Sequence, residues 1–245
     1  MSTPDVFITG RSFQEEEVKG KIIVVIDVLR ASSTMTVGLH YGAKGVIAVP
    51  DMGAASMMAS KLDPRSFLLC GERDGRKIED YHYGNSPLEY IEAADKLKGK
   101  TLIFNSTNGA PTLARCAGAK QVLIGCFLNA AAVLSYLKKQ ASEEIIFVCS
   151  GWKSRLSLED TLCAGYLLDD LIGGRRPEDA PDGAQVALAL FDRYKDNISV
   201  AIAGSNHADR LRRLQASQDI AFCSRVNEIT TLPVRREGVF VPYSG

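Results

Sequence analysis

A single carboxylate closes an otherwise apolar run. Ile22 to Ile26 are five β-branched residues in succession, followed by Asp27, with Arg30, Ser32, Ser33 and Thr34 just beyond. Such a run without alternation describes a strand buried on both faces, and Met35, Val37 and Leu39 continue as a helix. The expected geometry is a strand end, a short turn and a helix N-terminus, where unpaired backbone N–H groups hold an anion. A carboxylate beside an anion is unfavourable unless a cation separates them. Asp27, Arg30 and the three hydroxyls therefore point to a phosphate with a divalent metal. Asp and Ser also cap helices without any ligand. Against capping alone stands the charge placed directly after five apolar residues, where it is costly unless paired or metal-bound. A helix end contributes only about 0.3–1 kcal/mol to a nearby anion, so phosphoryl transfer there needs arginine and metal as well.

Three further strand ends open onto polar loops. Phe67 to Cys70 leads into GERDGRKIEDYHYGNSP, Gly71 to Pro87. Glu72 and Arg73 stand immediately at that strand end, where open α/β sheets place ligands; Asp74, Arg76, Lys77 and Glu79 read as a solvated surface. Asn85 precedes a helix capped by Ser86, and His82 is the general acid or base by residue type. With only His40 and His207 elsewhere, a multi-histidine metal site is not expected. Leu102 to Phe104 ends in NSTNGAP, which carries Thr107 and Asn108. Glu144 to Cys149 opens onto SGWKSRLSLED, with Lys153 and Arg155. There Ser157 and Asp160 fit a capping box, which accounts for Asp160 without chemistry, while its place at the fourth such exit makes it a metal-site candidate.

The elements that must position these residues alternate strand and helix. Placing Gly42-Ala43-Lys44 over Gly118-Ala119-Lys120 also aligns Val46 with Val122 and Ala54-Ala55 with Ala130-Ala131. The expectation is an α/β protein, layered, with a mostly parallel sheet and helices on both faces, and with room for two related α/β halves. The chain reads as one unit, 1–245, whose lobes intertwine, with a Gly/Pro-rich connection near 173–183 as hinge or lid candidate. Helices are expected over 51–61, 88–97, 184–194 and 208–215, a last strand over 219–223, and an irregular tail beyond. Lysine plus arginine and aspartate plus glutamate balance at 29 each, so there is no electrostatic footprint for nucleic acid or a membrane surface. Six scattered cysteines without a C-x-x-C pair read as reduced core residues. Neither a signal core nor a run of transmembrane length is expected, which points to the cytoplasm. A homo-oligomer is left open.

Other phosphate-handling patterns fail on the residues. There is no G-x-x-x-x-G-K-[ST] loop and no Cys-x5-Arg loop, and Asp27 is followed by Val28 and Leu29 rather than by a second acid two residues on, as haloacid dehalogenase-type phosphatases require. Instead the four exits together resemble the 2-phosphosulfolactate phosphatase (ComB) family. The resemblance rests on IDVLRASST (26–34), GERDGRKI with GNSP (71–78, 84–87), STNGA (106–110) and CSGWKSRLSLEDTLCAG (149–165). Ser205-Asn206-His207 and Asp219 to Cys223 are similar to its weaker C-terminal signatures. In the family pattern threonines stand where this chain has Asn105, Ser106 and Ala110; Ala110 lacks the hydroxyl and is left out of the site.

The resemblance implies a Mg2+-dependent phosphatase that cleaves (2R)-2-phospho-3-sulfolactate to (2R)-3-sulfolactate and phosphate, a step of coenzyme M biosynthesis. The expected partner is a small anionic phosphorylated substrate. On that basis Asp27, with Glu72 or Asp160, would hold Mg2+. Arg30 and Arg73, with Ser32, Ser33, Thr34, Thr107 and Asn108, would hold the phosphate. Asn85 and Arg155 are candidates for the carboxylate or sulfonate. Direct attack by water and a covalent role for Asp27 are both open. The rival from another class is a protein that binds a phosphorylated or sulfonated metabolite without turning it over, and metal dependence separates the two.

Overall fold

The structure is a computed structural model that describes residues 3–140 and 142–244. The chain begins with β1 (Asp5–Phe7), β2 (Ile22–Ile26), α1 (Ala31–His40), β3 (Gly45–Val49), α2 (Met52–Ala59), β4 (Phe67–Arg73) and β5 (Arg76–Lys77). It continues through α3 (Pro87–Glu92), α4 (Ala94–Leu97), β6 (Thr101–Asn105), α5 (Gly109–Arg115), β7 (Gln121–Gly125), α6 (Ala130–Lys138) and β8 (Ile145–Cys149). Then come α7 (Leu158–Leu171), α8 (Asp182–Tyr194), α9 (Ile198–Ala203), α10 (Asn206–Arg213), α11 (Ser217–Cys223), β9 (Pro233–Arg236) and β10 (Val239–Pro242).

Among the described residues the strands form one ten-stranded, mostly parallel mixed sheet in the order β1-β8-β2-β7-β9-β10-β3-β6-β4-β5. The apolar run of β2 is buried at every position, as a strand between two parallel neighbours requires. Two parallel sets, β1-β8-β2-β7 and β3-β6-β4, flank the antiparallel β9–β10 hairpin. The hairpin touches each set through a single residue pair, Leu123 with Val234 and Val46 with Phe240.

Two of the βαβ passages cross between the sets. The chain leaves β2, passes through α1 and enters β3 in the other set; it leaves β6, passes through α5 and returns to β7. The G-A-K alignment puts Gly45 on Gln121 and Val49 on Gly125, which are the bounds of β3 and β7. Read across the hairpin, the two sets run in opposite senses. The sheet must therefore coil between them, in the direction of its natural twist, for the carboxyl ends of β2 and β6 to meet as they do around Asp27 and Gly109.

At the centre lies α1, buried from Ala31 to Leu39. A helix enclosed on every side must satisfy its polar side chains internally, and this governs the fate of Ser32, Ser33 and Thr34, while the buried Thr36 Oγ1 is left without a hydrogen-bond partner. The main core surrounds β2, α1, β7 and β8, while Val49, Ala55, Ile78, Tyr81 and Ile103 form a second cluster beneath α2. All six cysteines are free and buried. No helix among the described residues is long and apolar enough to cross a membrane.

Two expectations need correction. Residues 219–223 lie in α11, not in a strand, and the tail is the β9–β10 hairpin at the middle of the sheet. Its pairing partners, β7 and β3, lie more than a hundred residues upstream, so nothing local marks it. The Gly/Pro-rich connection links two helices packed on one another, α7 and α8, with α8 also against β1. None of its residues lines the cleft described next.

Candidate active site

Asp27 leaves β2 and turns back onto the first turn of α1. Its Oδ1 accepts the Ala31 N–H at 3.2 Å, its carbonyl accepts the Ser32 N–H, and its own N–H donates to Ser32 Oγ at 2.9 Å. Capping thus uses one carboxylate oxygen. The other, Oδ2, faces Gly109 at the start of α5, where a Cβ would sit 2.8 Å from it. Asp27 lines a cavity of about 40 Å3, together with Arg30, Glu72, Asn85, Thr107, Asn108, Trp152, Lys153, His207 and Arg210. Burial pushes its carboxyl up to about 6; the Glu72 and Glu159 carboxylates add to the rise, against the opposing pull of His207 and the Ala31 N–H.

Arg30 is 6% exposed and clamped from behind. Nη1 donates to Asp219 Oδ2 at 2.6 Å and Nη2 to the Gly75 carbonyl at 3.0 Å. Ser86 Oγ donates to the other Asp219 oxygen at 2.6 Å. Glu72 joins two exits: Oε1 accepts the Thr107 N–H at 2.7 Å, and Oε2 accepts the Gly75 N–H at 2.5 Å and the Thr107 hydroxyl at 3.0 Å. Asn85 is 6% exposed, and its Oδ1 has no hydrogen-bond partner. A buried acceptor without a donor is costly, and here it belongs to the cavity wall.

The structure brings Asp27, Arg30, Glu72, Asn85, Thr107 and Asn108 to one cavity and leaves other candidates outside it. Arg73 is exposed and donates to Asn105 Oδ1 at 3.3 Å. The reason is that β4 continues through Arg73, and successive residues of a strand point to opposite faces; with Glu72 turned in, Arg73 turns out. Ser32 Oγ donates to the Val25 carbonyl, Ser33 Oγ to Val28 and Thr34 Oγ1 to Asn85, so all three hydroxyls are spent inside the protein. Arg155 is exposed and pairs through its backbone with Trp152. The turn between them is made by Lys153 and Ser154, both at positive φ, and it carries Lys153, not Arg155, onto the cavity. His82 is exposed, and its Nδ1 accepts the Leu69 N–H at 3.0 Å; it does not line the cavity.

Asp160 does not line the cavity. It is 2% exposed, its Oδ1 accepting the Val28 N–H at 2.8 Å and its Oδ2 the Gly151 N–H at 3.1 Å. Both oxygens tie the exit of β2 to the exit of β8, and the side chain stands behind the cavity wall. Burial, with the Asp27 and Glu159 charges, pushes its carboxyl well above the usual range. Among the described residues no three His, Cys, Asp or Glu side chains converge as a metal cage. Of the three carboxylates that line the cavity, Asp27 and Glu72 are buried and Asp74 is exposed, and Mg2+ is commonly held by one or two carboxylates with waters and phosphate oxygens completing the shell. The donor set fits that ion without Asp160.

Five polar or aromatic cavity residues and two behind them escaped the sequence reading of the site. Lys153, Arg210, His207 and Trp152 line it, as does Asp74, which by sequence reads as solvated surface, and Asp219 and Glu159 support it. Glu159 is 1% exposed and pairs through Oε1 with His207 Nδ1 at 2.9 Å. Burial alone would raise its carboxyl, but the hydrogen bond and charge of His207 hold it below the ordinary value. The His207 ring stacks on Trp152 at 5.7 Å between centroids and 17° between planes. The motifs around His207 and Asp219 were visible; Glu159 was hidden, because an acid in a helix's first turn needs no further cause.

A family model described as 2-phosphosulpholactate phosphatase matches residues 7–238. A curated protein of Symbiobacterium thermophilum, named "Probable 2-phosphosulfolactate phosphatase", is 39% identical over 92% of this chain and 96% of its own length. Proteins of the same name from Caldanaerobacter subterraneus subsp. tengcongensis and Thermotoga maritima are 36% and 37% identical, covering 94% and 91% of this chain and 94% and 93% of their own. The order of the four exits and these matches over nearly all of both chains agree: the chain belongs to the 2-phosphosulpholactate phosphatase family of phosphoric monoester hydrolases.

Proposed function

We propose that this chain hydrolyses (2R)-2-phospho-3-sulfolactate to (2R)-3-sulfolactate and phosphate, with Mg2+ held by Asp27 and Glu72, in the reducing cytoplasm that six buried free thiols suit. The observation that carries it is the meeting of these two buried carboxylates with Arg30 in one cavity. Burial, with the Glu72 charge adding to it, raises the Asp27 carboxyl to about 6 in spite of His207, and a divalent ion between the two carboxylates would offset that cost. When bound, Mg2+ neutralises charge on the phosphoryl oxygens.

The protein's own groups do the rest. Arg30, unable to swing because Asp219 and Gly75 hold it, presents a fixed charge to the phosphate. Lys153 and Arg210 supply cations for the carboxylate and sulfonate, the role first given to Arg155 with Asn85, and Asn85 offers its unpaired amide oxygen to a hydroxyl or water. A cavity of about 40 Å3 takes a few waters.

The test is phosphate release from 2-phosphosulfolactate and other 2-phospho acids, with Mg2+ and with EDTA. Turnover lost in EDTA and restored by Mg2+, and absent in Asp27→Ala, is expected. No release from any of them, with tight binding of one, would replace the enzyme by a metabolite-binding protein.

A further inference from the structure

The phosphatase reading leaves the departing oxygen without a partner. Its substrate releases a secondary alcohol, a poor leaving group, so breaking the P–O bond places charge on an oxygen that Arg30 and the two carboxylates do not serve. One pair of side chains, His207 in the cleft wall and Glu159 behind it, is unused and suited to that oxygen. Glu159 is a carboxylate 1% exposed, which is costly unless it is paired. Its partner is His207 Nδ1, at 2.9 Å. That bond fixes the rotation of the ring, and the stack on Trp152 at 17° fixes its plane. With Nδ1 occupied, Nε2 is the ring nitrogen left free, and the ring forms part of the same wall as Asp27 and Arg30. A carboxylate behind an imidazole holds its tautomer and stabilises the imidazolium.

We propose that His207 is the general acid of the hydrolysis, giving the Nε2 proton to the bridging oxygen, and that Glu159 is the positioning residue that holds its ring. This rests on the phosphatase reading. As the P–O bond to the bridging oxygen breaks, its electron pair stays on that oxygen, which takes the proton from Nε2. A water oxygen forms the new bond to phosphorus. Imidazolium, phosphomonoester dianion and water thus become imidazole, alcohol and dihydrogen phosphate, and His207 regains its proton from solvent. A satisfied structural histidine would make the same bond to Glu159, but it would not care how acidic the released alcohol is.

The experiment compares 2-phospholactate with its 3,3,3-trifluoro analogue, whose alcohol departs readily without a proton, alongside 2-phosphosulfolactate. General acids contribute about 10²–10⁴-fold. His207→Gln is expected to lower kcat by that factor on 2-phospholactate and 2-phosphosulfolactate, with KM changed less than about threefold, and to lose under about tenfold on the trifluoro analogue. Glu159→Gln should show the same dependence on leaving group in weaker form, and the double variant should be no worse than His207→Gln. His207→Asn serves if the first variant does not fold, with thermal melting as the control. Equal losses on all three substrates, or none, overturn the general acid while the phosphatase reading stands. No turnover by the wild-type chain removes both.

Discussion

Arg30 and Asp219 are 189 residues apart in the chain and 2.6 Å apart in the fold. Their side chains are 6% and 3% exposed, so neither charge has water as an alternative partner. Removing one partner of a buried pair leaves the other uncompensated and costs about 3–5 kcal/mol. Asp219→Ala is expected to lose stability on that scale in urea unfolding and to raise KM through a mobile Arg30. An Asp219→Ala protein as stable as the wild type would mean that the pair does not hold the site together.

Asp27 titrates at about 6 in the fold against an ordinary 3.8. The native state therefore keeps this proton to higher pH than the unfolded chain does. Its contribution to stability is complete below pH 3.8, is lost as pH rises through the interval to about 6, and stays lost above it; the size is about 3 kcal/mol. Asp27→Asn should remove this dependence, leaving the metal-free protein more stable than wild type at pH 8 while abolishing turnover. Urea melts in EDTA at pH 5 and pH 8 decide it, and parallel behaviour of the two proteins would refute it.

Asp160 and Ser33 are assigned to structure rather than to ligands. Asp160→Asn turns an amide N–H2 toward one of two backbone N–H groups, at a cost of about 1–3 kcal/mol. Ser33→Ala loses its bond to the Val28 carbonyl, about 1 kcal/mol. Both variants should keep the Mg2+ concentration for half-maximal activity within about threefold, a margin of less than about 1 kcal/mol. A tenfold or greater rise without loss of stability would return Asp160 to the metal shell.

Gly109 opens α5 against Asp27. An added Cβ would lie 2.8 Å from Asp27 Oδ2 and equally close to the Ala31 Cβ. Alanine favours a helix over glycine by about 1 kcal/mol, so Gly109→Ala should melt near the wild-type temperature. Yet its kcat should fall about 10²-fold, because displacement of a reacting group by about 1 Å costs that much. Activity within about threefold of wild type would show that Asp27 Oδ2 is not needed where it stands.

The strand exits were legible because they follow from local chemistry. Five β-branched residues ending in Asp27 can hardly be anything but a buried strand with a charge at its end, and the G-A-K alignment reproduced the bounds of β3 and β7. Choosing among neighbours at an exit was harder. Glu72 and Arg73, or Lys153 and Arg155, differ by which way the backbone turns, and that depends on how far β4 extends and on a two-residue turn. The hydroxyls of Ser32, Ser33 and Thr34 would serve an anion equally well by type; they are spent internally because α1 is enclosed on every side.

The sequence by itself determined the alternation of strands and helices, the four polar exits and the presence among them of Asp27, Arg30, Glu72, Asn85, Thr107 and Asn108, since periodicity and residue type report what leaves water and what stays charged. Only the tertiary structure decided that the β9–β10 hairpin joins two opposed parallel sets, that Asp219 holds Arg30 and that Glu159 holds His207. These are contacts between residues 48 or more positions apart, and they exist because burial removes water as a partner, so each charge must find its counterpart wherever the fold brings one.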